Sequence, residues 1–131
     1  MNKTYLVVGR GGTGKSSWVS KIQQQKLTLR DPDWSDQSGT FFPDEHFKGV
    51  DGVFIFCSSD SSLSHRDIQC WIRSSKRVCG DNISIVIVQN KIDLPEAIIY
   101  SRSKKYKRVK ISALTGENIT TPLVVMTKLN K

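Results

Sequence analysis

Residues 7–17 read VVGRGGTGKSS, a glycine-rich turn set between an apolar run and a helix pattern. Tyr5, Leu6, Val7 and Val8 precede it, and Trp18, Val19 and Ile22 follow on one helical face. Gly9, Gly14, Lys15 and Ser16 fall at G-x-x-x-x-G-K-S spacing, with Gly11 and Gly12 inside the turn. Strand, glycine turn and helix form the context in which such a turn cradles phosphate. Glycines let successive backbone N–H groups face inward as an anion nest. The helix start adds unpaired donors and the positive end of its dipole. Lys15 is expected to reach the terminal phosphates and the Ser16 hydroxyl to ligate Mg²⁺. Arg10, Thr13 and Ser17 complete the candidate loop.

A chain of 131 residues fits one domain, residues 1–131, with a single modest core. Apolar residues make up 37% of it, too many for a disordered chain. No apolar run is long enough for a membrane-spanning helix. Cys57, Cys70 and Cys79 are odd in number and lack metal-site spacing. They read as reduced intracellular thiols, two of them in the core. No leader, no myristoyl acceptor at Asn2 and no prenylation box at the last residues are seen, so a cytoplasmic chain without a lipid anchor is expected. The net charge of +8 permits an acidic partner, although solubility alone accounts for it.

Apolar periodicity predicts helices over 15–25, 67–77 and 96–100, and strands over 26–30, 52–57, 83–88 and 106–111. Ile68, Trp71 and Ile72 share a face of the second helix. In the last strand Val109 and Ile111 point inward, Arg108 and Lys110 outward. Residues 31–44, 58–62 and 90–95 read as loops. Thr121 is placed to cap a final helix with Pro122 at its first position. Alternating strands and helices predict an α/β fold, a doubly wound, mainly parallel five-stranded sheet with helices on both faces. Ligands of such sheets bind beyond the carboxyl ends of the strands.

Two further motifs leave those ends. Asn90-Lys91-Ile92-Asp93 resembles the N-K-x-D guanine motif of small GTPases. In it the aspartate accepts from the two ring-edge N–H groups of guanine, a pair that adenine lacks. A site built on that pair leaves a carboxylate unpaired with the wrong base. Ser112-Ala113-Leu114-Thr115-Gly116-Glu117-Asn118 resembles the S-A-K-x-G-E-N loop, whose backbone N–H groups complete the guanine pocket. Leu114 replaces the usual lysine, which weakens packing over the base. Phe47-Lys48-Gly49-Val50-Asp51-Gly52 is similar to the YRGADG segment of the same proteins, and Trp71-Ile72-Arg73 to the W-I/L-R of Rab helices. Across nearly its whole length the chain resembles the Ras superfamily, and its Rab branch most. The resemblance implies a P-loop fold, GTP or GDP as ligand, Mg²⁺ held by Ser16 and Asp31, and regulator or effector proteins as partners.

One segment departs from that pattern. Only residues 17–30 separate the phosphate loop from Asp31, room for one helix and one strand. Switch I, its threonine and its guanine-flanking aromatic have no counterpart. The strand order is therefore expected to be 2-1-3-4-5, all parallel, without the antiparallel edge strand of the family. The D-x-x-G motif is degenerate. Asp31 fits the spacing to Asp51 but has no glycine at the fourth position; Asp36-Gln37-Ser38-Gly39 matches literally at a shorter spacing, and Asp33 lies between. Neither placement puts a glutamine after the glycine. Weak or absent hydrolysis follows, together with nearly equal binding of GDP and GTP.

Two other classes compete with a slow GTPase. One is a pseudo-GTPase acting as a scaffold or decoy through protein binding. The other is a P-loop ATPase or kinase, against which Asn90, Lys91 and Asp93 argue. Arg102, Lys104, Lys105, Lys107, Arg108 and Lys110 offer a patch for nucleic acid or an anionic membrane, or simply blunt an edge strand with charge. Arg10 is a candidate cation beside the phosphates. His46 and His65 are expected at the surface, and Phe41, Phe42 and Phe47 either as a partner patch or as packing that pins the shortened loop.

Overall fold

The computed structural model describes residues 3–22, 27–32, 43–96 and 105–130. Five strands form one sheet: β1 (Lys3–Gly9), β2 (Leu27–Arg30), β3 (Gly52–Ser58), β4 (Ser84–Asn90) and β5 (Lys107–Lys110). Their order is β2-β1-β3-β4-β5, and every pair is parallel. The helices are α1 (Lys15–Ile22), α2 (Ser62–Arg66), α3 (Ile68–Cys79) and α4 (Thr121–Leu129).

Period-two alternation divides the core between the two faces of the sheet. Tyr5, Val7, Phe54, Phe56, Val86 and Val88 point to one face, where Trp18 and Ile22 of α1 and Leu123 and Met126 of α4 cover them. Leu6, Val8, Val53, Ile55, Ile85 and Ile87 point to the other, under Ile68, Trp71 and Ile72 of α3. Strands apolar on both faces are what a doubly covered parallel sheet requires. Trp18 is fully buried, its ring 5.1 Å from that of Phe54 and 5.2 Å from that of Phe56. Its indole Nε1 donates to the Ile119 carbonyl at 2.8 Å. Trp18→Phe leaves that carbonyl without its donor and shrinks the packing. A loss of about 1–3 kcal/mol is expected, read as a lower urea midpoint with unchanged slope.

β2 begins after α1 with only residues 23–26 between them, and it pairs directly with β1, Lys3 opposite Leu27 and Leu6 opposite Arg30. The expected strand order and the all-parallel sheet are therefore observed. Gly9 ends β1 at φ +148°, and a Cβ there would lie 2.6 Å from the Phe56 carbonyl oxygen. Glycine is what lets the loop leave the sheet at this point.

Several local expectations are corrected. The segment after β3 carries α2, whose N-cap Ser61 accepts from the Ser64 N–H at 3.2 Å. A short serine-rich helix has too little apolar periodicity to be read from sequence. It carries His65, which is 7% exposed rather than at the surface, while His46 is half-buried. The second helix begins at Ile68 and runs two residues past Arg77, to Cys79. Thr120, not Thr121, occupies the N-cap of α4, without a side-chain hydrogen bond, so Pro122 falls one position later. Of the cysteines only Cys57 is buried; Cys79 is half-buried and Cys70 exposed. Phe47 is buried against the α3 face, the packing role. Phe41 and Phe42, residues 33–40 with Asp33, Asp36 and Gly39, and the expected helix beyond Glu96 lie outside the described residues, as do Arg102 and Lys104. β5 is a sheet edge with Lys107 and Lys110 exposed and Arg108 half-buried, the charge-blunted arrangement.

Candidate nucleotide-binding site

Parallel pairing sends the loops after Gly9, Arg30, Asn90 and Lys110 out of the same end of the sheet. That shared direction brings together residues more than a hundred positions apart. The phosphate loop occupies the centre. Gly12 and Gly14 have φ of +83° and +84°, conformations that side chains rarely adopt. Thr13 Oγ1 donates to the Arg10 carbonyl at 2.8 Å and closes the turn. Lys15 Nζ reaches back over it, 3.0 Å from the Gly9 carbonyl and 3.3 Å from that of Arg10. An ammonium has three donors, so this pose keeps one for a phosphate oxygen. Burial lowers the Lys15 pKa and the nearby Asp31 carboxylate opposes that shift. A phosphate beside it would favour the charged form further.

A cavity of about 430 Å³ opens over this loop, bounded by Gly11, Lys15, Ser16, Asp31 and Pro32. At its edge Ser16 Oγ donates to Asp31 Oδ2 at 2.8 Å. A hydroxyl and a carboxylate meeting beside a phosphate cradle suit Mg²⁺, a hard ion that takes one or two protein oxygens and fills its shell with phosphate and water. No cluster of three or more His, Cys, Asp or Glu side chains fit to hold a metal occurs among the described residues. Asp31 and Ser16, the two residues that the resemblance implies for the metal, thus lie within hydrogen-bond distance.

A second cavity, about 350 Å³, is lined by Lys21, Lys91, Asp93, Leu94 and Leu114. Gly14 and Ser17 border both cavities, which therefore adjoin. Asn90 lines the second cavity, 3% exposed. Its Nδ2 donates to the Thr13 carbonyl at 2.9 Å, and its Oδ1 accepts from the Ala113 N–H at 2.9 Å. One amide therefore ties the phosphate loop to the loop after β5. Lys91, at φ +63°, sends Nζ to the Gly12 carbonyl at 2.7 Å. Asp93 accepts from Ser112 Oγ at 2.8 Å, which orients its carboxylate and leaves it further lone pairs. Leu114 is 80% exposed, an apolar lip where a lysine was expected by resemblance.

Arg10 turns away from the phosphate side. Its Nε and Nη2 donate to the two Asp67 oxygens at 2.7 and 3.1 Å. Lys21 and Asp67 escaped the sequence reading. Lys21 Nζ donates to the Ala113 carbonyl. Its position four residues after Ser17, on one face of α1, was the available signal. Asp67 had none, because its partner is 57 residues away.

Comparison with known proteins agrees with this geometry. The chain is 21% identical to human Ras-related protein Rab-4B over 148 aligned positions, which take in 88% of this chain and 70% of that protein. It is 21% identical to the GTP-binding nuclear protein GSP1 of Encephalitozoon cuniculi, across 96% of this chain and 76% of that one. RabZ of Dictyostelium discoideum is 21% identical across 79% of this chain and 57% of its own length. A sequence model of the Ras family matches residues 39–130, most of the chain though not the phosphate loop. Described by an all-parallel sheet of P-loop type and matched over that span, the chain belongs to the Ras family, as a small GTPase-like protein.

Proposed function

We propose that this chain binds GDP and GTP with Mg²⁺ through residues 9–17, Asn90, Lys91, Asp93 and residues 112–114, and that it hydrolyses GTP slowly or not at all. The Asn90 bridge carries the reading. It ties the phosphate loop, which borders the first cavity, to the loop after β5, which borders the second beside Asp93, and a nucleoside phosphate has those two parts in that order. Together the cavities are of a size to enclose one. Lys15 and the backbone donors bind phosphate; the Asp93 carboxylate reads guanine; Ser16 and Asp31 hold the metal. Mg²⁺, when bound, neutralises phosphate charge. GSP1 is itself named a GTP-binding protein, which supports the choice of nucleotide.

Loss of catalysis is supported by what the chain has no room for. With residues 23–26 alone between α1 and β2, no loop is long enough to close over the γ-phosphate from that side. The alignment with Rab-4B runs over 148 positions, more than the 131 residues of this chain, so the relative has residues that this one lacks. The same shortening favours a second reading, a pseudo-GTPase that works as a scaffold or decoy for regulators in the cytoplasm. No helix among the described residues is long and apolar enough to cross a membrane.

Mass analysis of nucleotide carried through purification, followed by titration with GDP and ATP, tests the assignment. Guanine nucleotide retained and ATP rejected is expected. No heat with GDP at millimolar concentration would mean that the motifs are relics. Asp93→Asn supplies the specificity test: its amide offers one acceptor where the carboxylate offered two. GDP affinity is expected to fall about 100-fold, with xanthosine diphosphate gaining relative to GDP.

A further inference from the structure

The Arg10–Asp67 pair is the most strongly built contact of the phosphate loop that nucleotide binding, as described above, does not use. Its two hydrogen bonds are 2.7 and 3.1 Å, and the side chains are 19% and 10% exposed. A side-on bidentate guanidinium–carboxylate pair fixes both distance and angle. Each end is anchored. Asp67 sits at the joint between α2 and α3, its N–H donating to the Leu63 carbonyl and its carbonyl accepting from the Trp71 N–H. Arg10 lies in the loop, and its own carbonyl accepts from Thr13 Oγ1 and from Lys15 Nζ.

We infer that Asp67 is a positioning residue for phosphate recognition: by clamping Arg10 it fixes the carbonyl against which the Lys15 ammonium is aimed. Asp67 reaches neither cavity, so its effect passes through Arg10 to Lys15. The pair also keeps the Arg10 guanidinium out of the phosphate cavity, so the arginine acts as a brace and not as a cis-acting finger. This inference rests on the nucleotide reading proposed above.

The phosphate that Lys15 reaches separates this role from a structural one. GDP has a terminal phosphate beyond that of GMP, so a misaimed Lys15 weakens GDP more than GMP. A general loosening of the fold weakens both alike. Calorimetry with GMP and GDP on wild type, Asp67→Asn, Arg10→Gln and the double variant gives the ratio of the two affinities, and thermal melting of each free protein monitors folding. The GDP-to-GMP ratio is expected to fall about tenfold in each single variant, the low end for a charge-assisted hydrogen bond, and no further in the double variant. Arg10→Lys, which keeps the charge without the fork, is expected to behave like Arg10→Gln. An unchanged ratio, equal losses for both nucleotides, or additive losses in the double variant would overturn the brace. A wild-type protein that binds neither nucleotide would overturn the nucleotide reading itself. If Asp67→Asn fails to fold, the Arg10→Lys ratio decides alone.

Discussion

Gly14→Ala is expected to abolish nucleotide binding while leaving the sheet folded. A Cβ at this position would lie 2.2 Å from Asn90 Nδ2, far inside contact distance. The backbone there has φ +84°, which adds strain for any L side chain. Asn90 has little freedom to move aside, because its amide is committed to the Thr13 carbonyl and the Ala113 N–H. Either the loop shifts, and Lys15 and the backbone donors lose their aim, or Asn90 turns and the loop after β5 detaches. Both routes break the link between phosphate and base cavities. A fall in GDP affinity of more than about 100-fold is expected, the combined cost of strain and of two displaced buried hydrogen bonds. Calorimetry measures it, and far-UV circular dichroism checks the sheet. GDP affinity within threefold of wild type would show that the loop accommodates a side chain and that the Asn90 bridge is dispensable.

Single-turnover hydrolysis of GTP is expected to run below about 10⁻⁴ s⁻¹, the order of the unaided rate of Ras. Binding and catalysis draw on different residues. In the proposed complex Lys15, the loop donors and Asp93 would hold substrate and transition state alike, and such uniform binding does not raise turnover. Groups that favour the transition state alone are scarce among the described residues. Arg10, the one cation within the early loop, is bound to Asp67. Burial lowers the pKa of Lys15, and in the proposed complex this side chain would meet phosphate in ground and transition state alike. Labelled phosphate released at the rate of an ordinary Rab protein would refute the claim of lost catalysis. A further drop in Arg10→Ala with unchanged GTP affinity would assign the arginine a catalytic role and contradict its placement on Asp67.

Ordering of two loops around a γ-phosphate is how such folds usually report the bound nucleotide. Only residues 23–26 lie between α1 and β2, which supports the proposal that the first of them is missing. A ligand that meets the same contacts in two states shifts no equilibrium between them. GDP and GTP are therefore expected to differ little in affinity, which the same titrations read.

The fold and the broad site were legible in the sequence because both are written locally. Near-continuous apolar runs at 52–57 and 83–88, short and rich in β-branched and aromatic residues, read as strands buried on both faces, and helical segments between them favour parallel pairing. The glycine loop, Asn90-Lys91-Ile92-Asp93 and the loop from Ser112 each follow a strand, so the topology alone gathers them at one end. The short stretch from Ser17 to Arg30 predicted a sheet edge formed by β2, and among the described residues β2 is that edge, parallel to β1. What tertiary structure alone decided are the pairings between distant segments. Arg10 finds Asp67, Lys21 finds Ala113, and His65 is buried as part of a helix too short and too polar to announce itself. Such contacts depend on where packed elements bring side chains of no periodic signature. A charge in a loop carries no mark of which opposite charge, 57 residues on, the fold will set 2.7 Å away.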